Sequence, residues 1–68
     1  MNEETLNISI RKFLKKVGVS AQREIEQAIA KALADGRIEG TESLSATMTL
    51  ELAGLQLRVI YDGDIELE

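Results

Sequence analysis

Asp35-Gly36-Arg37-Ile38-Glu39-Gly40 is the stretch at which the hydrophobic rhythm of the chain changes. Ahead of it, apolar residues recur at helical spacing; behind it, they alternate at strand spacing. A chain that switches period once must bury the apolar stripe of its helical half and the apolar face of its sheet half. The switch therefore predicts an α+β domain and names no substrate.

Working back from Asp35, the spacing predicts two helices, over residues 3–17 and 20–35. In the first, Leu6, Ile10, Phe13, Leu14 and Val17 form one apolar face. Asn2 suits the N-cap, and Glu3 and Glu4 suit the positive end of the helix dipole. Gly18 reads as the stop, since glycine readily takes the left-handed conformation of a C-terminal cap. Ser20 reads as the next N-cap, and Ile25, Ala28, Ile29, Ala32 and Leu33 form the second stripe. Asp35-Gly36 ends it. So short a connection implies a helical hairpin.

Working forward from Gly40, the period is two. Leu44, Ala46, Met48, Leu50 and Leu52 share one face of a strand over residues 43–52. Ala53-Gly54 is a turn, and Leu55, Leu57, Val59 and Tyr61 alternate along a second strand, residues 55–61. Placing Leu52 opposite Leu55 sets Leu50 against Leu57 and Met48 against Val59. The loop must contain an even number of residues, four being the alternative to two, because a one-residue slip would turn one apolar set outward. Asp62-Gly63 reads as a second turn, leading to a third strand over residues 64–68. The expected architecture is a single two-layer ααβββ domain over residues 1–68, its helical hairpin packed on one face of a three-stranded antiparallel meander.

Composition narrows the chemistry. A chain of 68 residues sits near the lower limit for an independent core, and such chains rely on staples, metals, very regular packing or a partner. There is no cysteine, which removes disulfides and thiolate metal sites, and no histidine, the commonest general base and metal ligand. Serines and threonines are present without a histidine to activate them. No glycine-rich phosphate loop or paired-acid motif occurs. The reading is a protein that is not an enzyme, with no catalytic residues, no cofactor and no small-molecule ligand. No apolar run reaches the length of a membrane span, and the acidic start lacks the positive charge of a signal peptide, so no membrane partner and a cytoplasmic location are expected.

The net charge of −4 is unevenly spread. Through Ile38 seven bases face five acids; from Glu39 onward seven acids face Arg58 alone. An acidic chain repels nucleic acid as a whole, although a local basic face can still bind it.

Two surfaces are candidate partner sites. On the first helix, Arg11, Lys12, Lys15 and Lys16 lie opposite the apolar stripe, with Ile8 among them. An apolar anchor ringed by cations suits an acidic partner; the plainer alternative is a solvated helix face. The second surface is the edge of the sheet. Strand 43–52 presents Ser45, Thr47 and Thr49 outward with no lysine or proline to block pairing, and Thr47 is expected across from Ile60. Such an edge invites strand addition by a second copy or a partner peptide, unless Glu42 and Glu51 blunt it.

Two further motifs are weaker. Val17-Gly18-Val19-Ser20 looks like the turn of a DNA-reading helix-turn-helix. The positions six and nine residues after Gly18, which that motif buries, are Glu24 and Gln27. Asp62-Gly63-Asp64-Ile65-Glu66 alternates carboxylates but lacks the spacing of a calcium loop, so no metal is expected.

The run from Thr5 to Val19, Thr-Leu-Asn-Ile-Ser-Ile-Arg-Lys-Phe-Leu-Lys-Lys-Val-Gly-Val, continued by Ser20-Ala21-Gln22-Arg23-Glu24-Ile25-Glu26, resembles a family of short bacterial proteins known only as a domain of unknown function. Met48-Thr49-Leu50 and Gly63-Asp64-Ile65-Glu66-Leu67-Glu68 are similar too, so the likeness spans nearly the whole chain. It implies a bacterial, stand-alone protein and supplies no activity. The expected function is a small protein-interaction module, self-associating as a homodimer or binding a protein partner. The alternative is a nucleic-acid-associated regulator using the basic helix face.

Overall fold

The computed structural model describes residues 1–68, in two compact units, Met1–Asp35 and Gly36–Glu68. It is an α+β chain with one helix and one antiparallel hairpin.

The first unit is a single helix, α1 (Glu3–Ala34), of 32 residues. The expected break at Gly18 does not occur, so residues 3–17 and 20–35 are one element and not a helical hairpin. The reason is the phase of the two stripes. Leu6, Val17 and Ala28 recur at intervals of eleven residues, as do Ile10, Ala21 and Ala32. Eleven residues make close to three turns, so in one straight helix the two stripes overlap along Leu6, Ile10, Val17, Ala21, Ala28 and Ala32, with Ile29 and Leu33 to one side. Against that continuity, an interior glycine costs only about 1 kcal/mol relative to alanine, and the chain has no proline to force a stop. Gly18 has no left-handed backbone. Ser20 is an interior residue and caps nothing.

The ends of α1 are where the sequence puts them. Asn2 is the N-cap, its side chain accepting from the Thr5 N–H at 3.1 Å. Asp35 closes the C-terminus with its N–H on the Lys31 carbonyl at 2.9 Å, and Gly36 follows in the left-handed region at φ +74°. That conformation is the one glycine adopts without a Cβ penalty.

The second unit is a two-stranded hairpin, β1 (Ser43–Leu52) and β2 (Leu57–Glu66). The expected strands over residues 55–61 and 64–68 are one strand, and the meander is a ribbon of two. Asp62-Gly63 makes no turn: Asp62 pairs with Thr47 and Gly63 with Ala46, and the ladder runs on to Ser43 opposite Glu66. A turn at Asp62 would leave half of the ten-residue β1 without a partner, and unpaired backbone groups are expensive. The loop is the four-residue version, Ala53 to Gln56, with a 3-10 turn over Ala53–Leu55. Two extra loop residues shift the pairing by two, so Leu50 faces Val59 and Met48 faces Tyr61. An even shift preserves the faces: Leu44, Ala46, Met48, Leu50 and Leu52 share one side with Leu57, Val59, Tyr61 and Ile65.

The left-handed residue of the loop is Gln56, at φ 55°, rather than Gly54. Gln56 returns its N–H to the Ala53 carbonyl at 3.2 Å.

No residue of the chain is buried. Lone helices and two-stranded ribbons consist of surface, so neither unit encloses a core of its own. The least exposed side chains of the hairpin lie on the expected face: Leu44, Ala46, Leu50, Val59 and Ile65 are half-buried. Those of α1, namely Val17, Ala21, Ile29 and Ala32, lie on its stripe. Met48, expected to be dry, is 45% exposed.

Candidate interaction surfaces

Continuity of α1 enlarges its basic face. At about 100° per residue, Ile8, Arg11, Lys12, Lys15 and Lys16 are joined on the side away from the stripe by Val19 and Arg23. Those last two residues escape a sequence reading that ends the helix at Gly18. The eleven-residue spacing of Ile8 and Val19, equal to that of the stripe, was the signal. Ile8 is 58% exposed and Val19 54%. From Thr5 to Arg23 there is no acid and there are five bases. The turn expected of a helix-turn-helix does not form, because Val17, Gly18, Val19 and Ser20 are all helical.

The hairpin has two unlike faces, since directly opposed residues of an antiparallel pair share a side. Opposite the apolar face, the polar face pairs Ser43 with Glu66, Ser45 with Asp64, Thr47 with Asp62, Thr49 with Ile60 and Glu51 with Arg58. Thr47 is therefore not across from Ile60, the two-residue shift having moved Ile60 to Thr49. Ser43 Oγ donates to Glu66 Oε1 at 3.0 Å, and Thr47 Oγ1 donates to Asp62 Oδ1 at 3.4 Å. Arg58 Nε lies 3.7 Å from Glu51 Oε1, an exposed pair worth little by itself. Away from the loop, hydroxyls from Ser43 to Thr47 thus occupy β1 and carboxylates from Asp62 to Glu66 occupy β2. Ser45, Thr47, Thr49 and Ile60, expected as a sheet-edge site, all lie on this polar face, and in a ribbon of two strands both strands are edges.

The charge divides with the units. Met1–Asp35 holds six bases and five acids, and Gly36–Glu68 holds two bases and seven acids. Asp62, Asp64 and Glu66 form a row along β2. No group of three or more metal-ligating side chains is gathered anywhere, and no helix is long and apolar enough to cross a membrane.

The segment of the second unit that leads into β1 is organised by Glu42. Its carboxylate accepts from three backbone N–H groups: Glu39 at 2.7 Å, Gly40 at 2.8 Å and Thr41 at 3.1 Å. The bonds from Glu39 and then Gly40 hold this carboxyl below its ordinary value, against an opposing effect of desolvation. Gly40 takes φ +104°, which lets successive amides converge. The Glu42 carbonyl also accepts from Leu67 N at 3.1 Å, tying the start of β1 to the end of the chain. In sequence Glu42 reads only as a charge flanking an edge. Its capping role depends on a backbone path that periodicity does not report.

No curated protein and no solved structure matches the chain. The model of one family matches residues 1–68, the full length in which the helix, the Glu42-capped connection and the hairpin all lie, so the chain belongs to the family of unknown function DUF6494.

Proposed function

We propose that this chain is a non-enzymatic interaction module that works as a homodimer, its two copies joined edge to edge through β1. The observation that carries the reading is a two-stranded ribbon with one apolar face and a β1 edge that carries no lysine or proline. A lone hairpin is marginally stable, and three or more strands with a hydrophobic face are needed for independence. Pairing two copies through β1 makes four.

The composition of β1 supports self-pairing. A two-fold axis at Thr47 sets Thr47 against its own copy, Ser45 against Thr49, Ala46 against Met48, and Leu44 against Leu50. Apolar residues meet apolar ones and hydroxyls meet hydroxyls. Along β2 the corresponding outward residues are Arg58, Ile60, Asp62, Asp64 and Glu66, four of the five charged, a composition of the kind that blocks edge pairing. Sedimentation equilibrium over a concentration series tests the dimer: a monomer mass up to about 1 mM defeats it. Thr47→Lys sets two ammonium groups opposite each other at the axis and weakens dimerisation several-fold, up to about tenfold, with the helical circular dichroism unchanged.

The alternative, a nucleic-acid-associated regulator, is favoured by the acid-free stretch of α1 and opposed by the net charge of −4. Duplex binding that falls steeply with salt and disappears in Lys12→Glu/Lys15→Glu would support it.

A further inference from the structure

The basic face of α1 and the polar face of β2 carry matching patterns. From Ile8, the positions of Lys12, Lys16 and Arg23 lie about 6, 12 and 22 Å further along the helix axis. From Ile60, those of Asp62, Asp64 and Glu66 lie about 7, 13 and 20 Å further along the strand. The offsets agree to within about 3 Å, a difference that long Lys and Arg side chains span. Arg11 and Lys15 flank the same row. Each strip therefore starts on an exposed isoleucine, Ile8 at 58% and Ile60 at 50%, and continues as three charges of one sign. The acid-free stretch of α1 ends at Arg23, and Glu24 and Glu26 follow it. The carboxylate row of β2 reaches as far as Arg23 and no farther.

We propose that the basic face of α1 in one copy docks on the acidic polar face of β2 in another, with Ile8 against Ile60 and Lys12, Lys16 and Arg23 against Asp62, Asp64 and Glu66. The occupant is a second copy of this chain because the complementary charge is in the chain itself: five bases without an acid on one surface, and three carboxylates in a row on the other. The contact uses neither the β1 edge nor the apolar faces, so it stands whether or not the strand-paired dimer does. Its two surfaces differ, which makes it heterologous: each copy carries both a helix face and a hairpin face, and association closes into a ring or runs on as an open chain according to the rotation between copies.

The opposing effect is the like net charge of the copies, −4 each. At about 0.1 M salt the screening length is about 10 Å, which suppresses that overall repulsion while leaving contacts at closer range. At about 1 M it is about 3 Å, and the contact pairs are screened as well.

The test is sedimentation of the full chain at both salt concentrations. The wild type is expected to show a weight-average mass at about 0.1 M salt at least twice that at about 1 M. Lys12→Glu/Lys16→Glu and Asp62→Lys/Asp64→Lys should each remove the salt-dependent increase, with circular dichroism verifying that helix and hairpin persist. An equimolar mixture of the two reversed variants is expected to recover the increase, because the unaltered basic helix face of one meets the unaltered carboxylate row of the other, and the four reversals in one chain should restore it as well. A wild-type mass independent of salt overturns the proposal, including the case in which each chain docks on itself. So does assembly by either reversed variant at the wild-type level, or failure of the fourfold reversal to restore it while its fold persists. Loss of the β1 dimer would appear separately, as a monomer mass at about 1 M salt, where strand pairing should survive.

Discussion

The helix and the hairpin meet their backbone hydrogen bonds in opposite ways. In α1 each interior amide reaches a carbonyl four residues back, so one poor residue is carried by its neighbours. In the hairpin Ser43 depends on Glu66, and every pair outward from the loop spans a longer stretch of chain than the one before. The helix therefore tolerates Gly18, whereas the hairpin lets neither Asp62 nor Gly63 turn while β1 still has residues to pair. Local chemistry writes the first element; the partner strand overrides local chemistry in the second.

The largest perturbation of that contrast is at Gly18. Gly18→Pro removes an interior helical bond and should cost about 3 kcal/mol, with a loss of helical circular dichroism that leaves the hairpin amides protected from exchange. It should also turn α1 into the pair of helices that the sequence suggests. If the helical signal survives intact, the helix is not the locally determined element described above.

A smaller effect sharpens the other side. Gln56 holds the loop in the left-handed region, where a non-glycine residue is strained by roughly 1–2 kcal/mol. Gln56→Gly should stabilise the hairpin by about 1 kcal/mol, the greater freedom of glycine in the unfolded chain offsetting part of the relief. Slower exchange at the amides of β1 and β2 would register it.

Next comes Gly18→Ala. Apart from its chain neighbours and the helix's own backbone, nothing lies within 4 Å of the position an added Cβ would take, and the backbone is helical. A gain of about 0.8 kcal/mol in thermal unfolding of the helical signal is expected. A loss would show that something packs on Gly18 in solution.

The smallest effect concerns the connection. The Glu42 carboxyl is depressed in the folded chain by its three amide donors. Its contribution is therefore complete above the unfolded-state value and fades as pH falls through the lower folded-state one. Exchange of the Glu39, Gly40 and Thr41 amides should quicken as the solution is acidified through that window. Glu42→Gln, uncharged throughout, should quicken it at neutral pH and remove most of the acid dependence.

The candidate surfaces were partly legible in sequence. Ile8, Arg11, Lys12, Lys15 and Lys16 share a face in any helix through residues 8–16, since 100° steps alone place them. Val19 and Arg23 belong to it only because the chain stays helical through Gly18. Ser45, Thr47 and Thr49 are outward by alternation alone, yet the residue opposite Ile60 is Thr49, because the loop took four residues and not two. Glu42 gave no sign of its role, which arises from three amides converging on one carboxylate.

By itself, then, the order of residues settled what neighbours in the chain can settle: the caps at Asn2 and Asp35, the stripe on the helix, the start and faces of β1, and the change of period at Asp35 to Gly40. Whether Gly18 and Gly63 would interrupt their elements was decided by longer-range demands, the shared phase of two stripes and the need of a ten-residue strand for an equally long partner. The physical reason is one of size. A glycine's local preference is worth about 1 kcal/mol, and five pairs of a β ladder outweigh it.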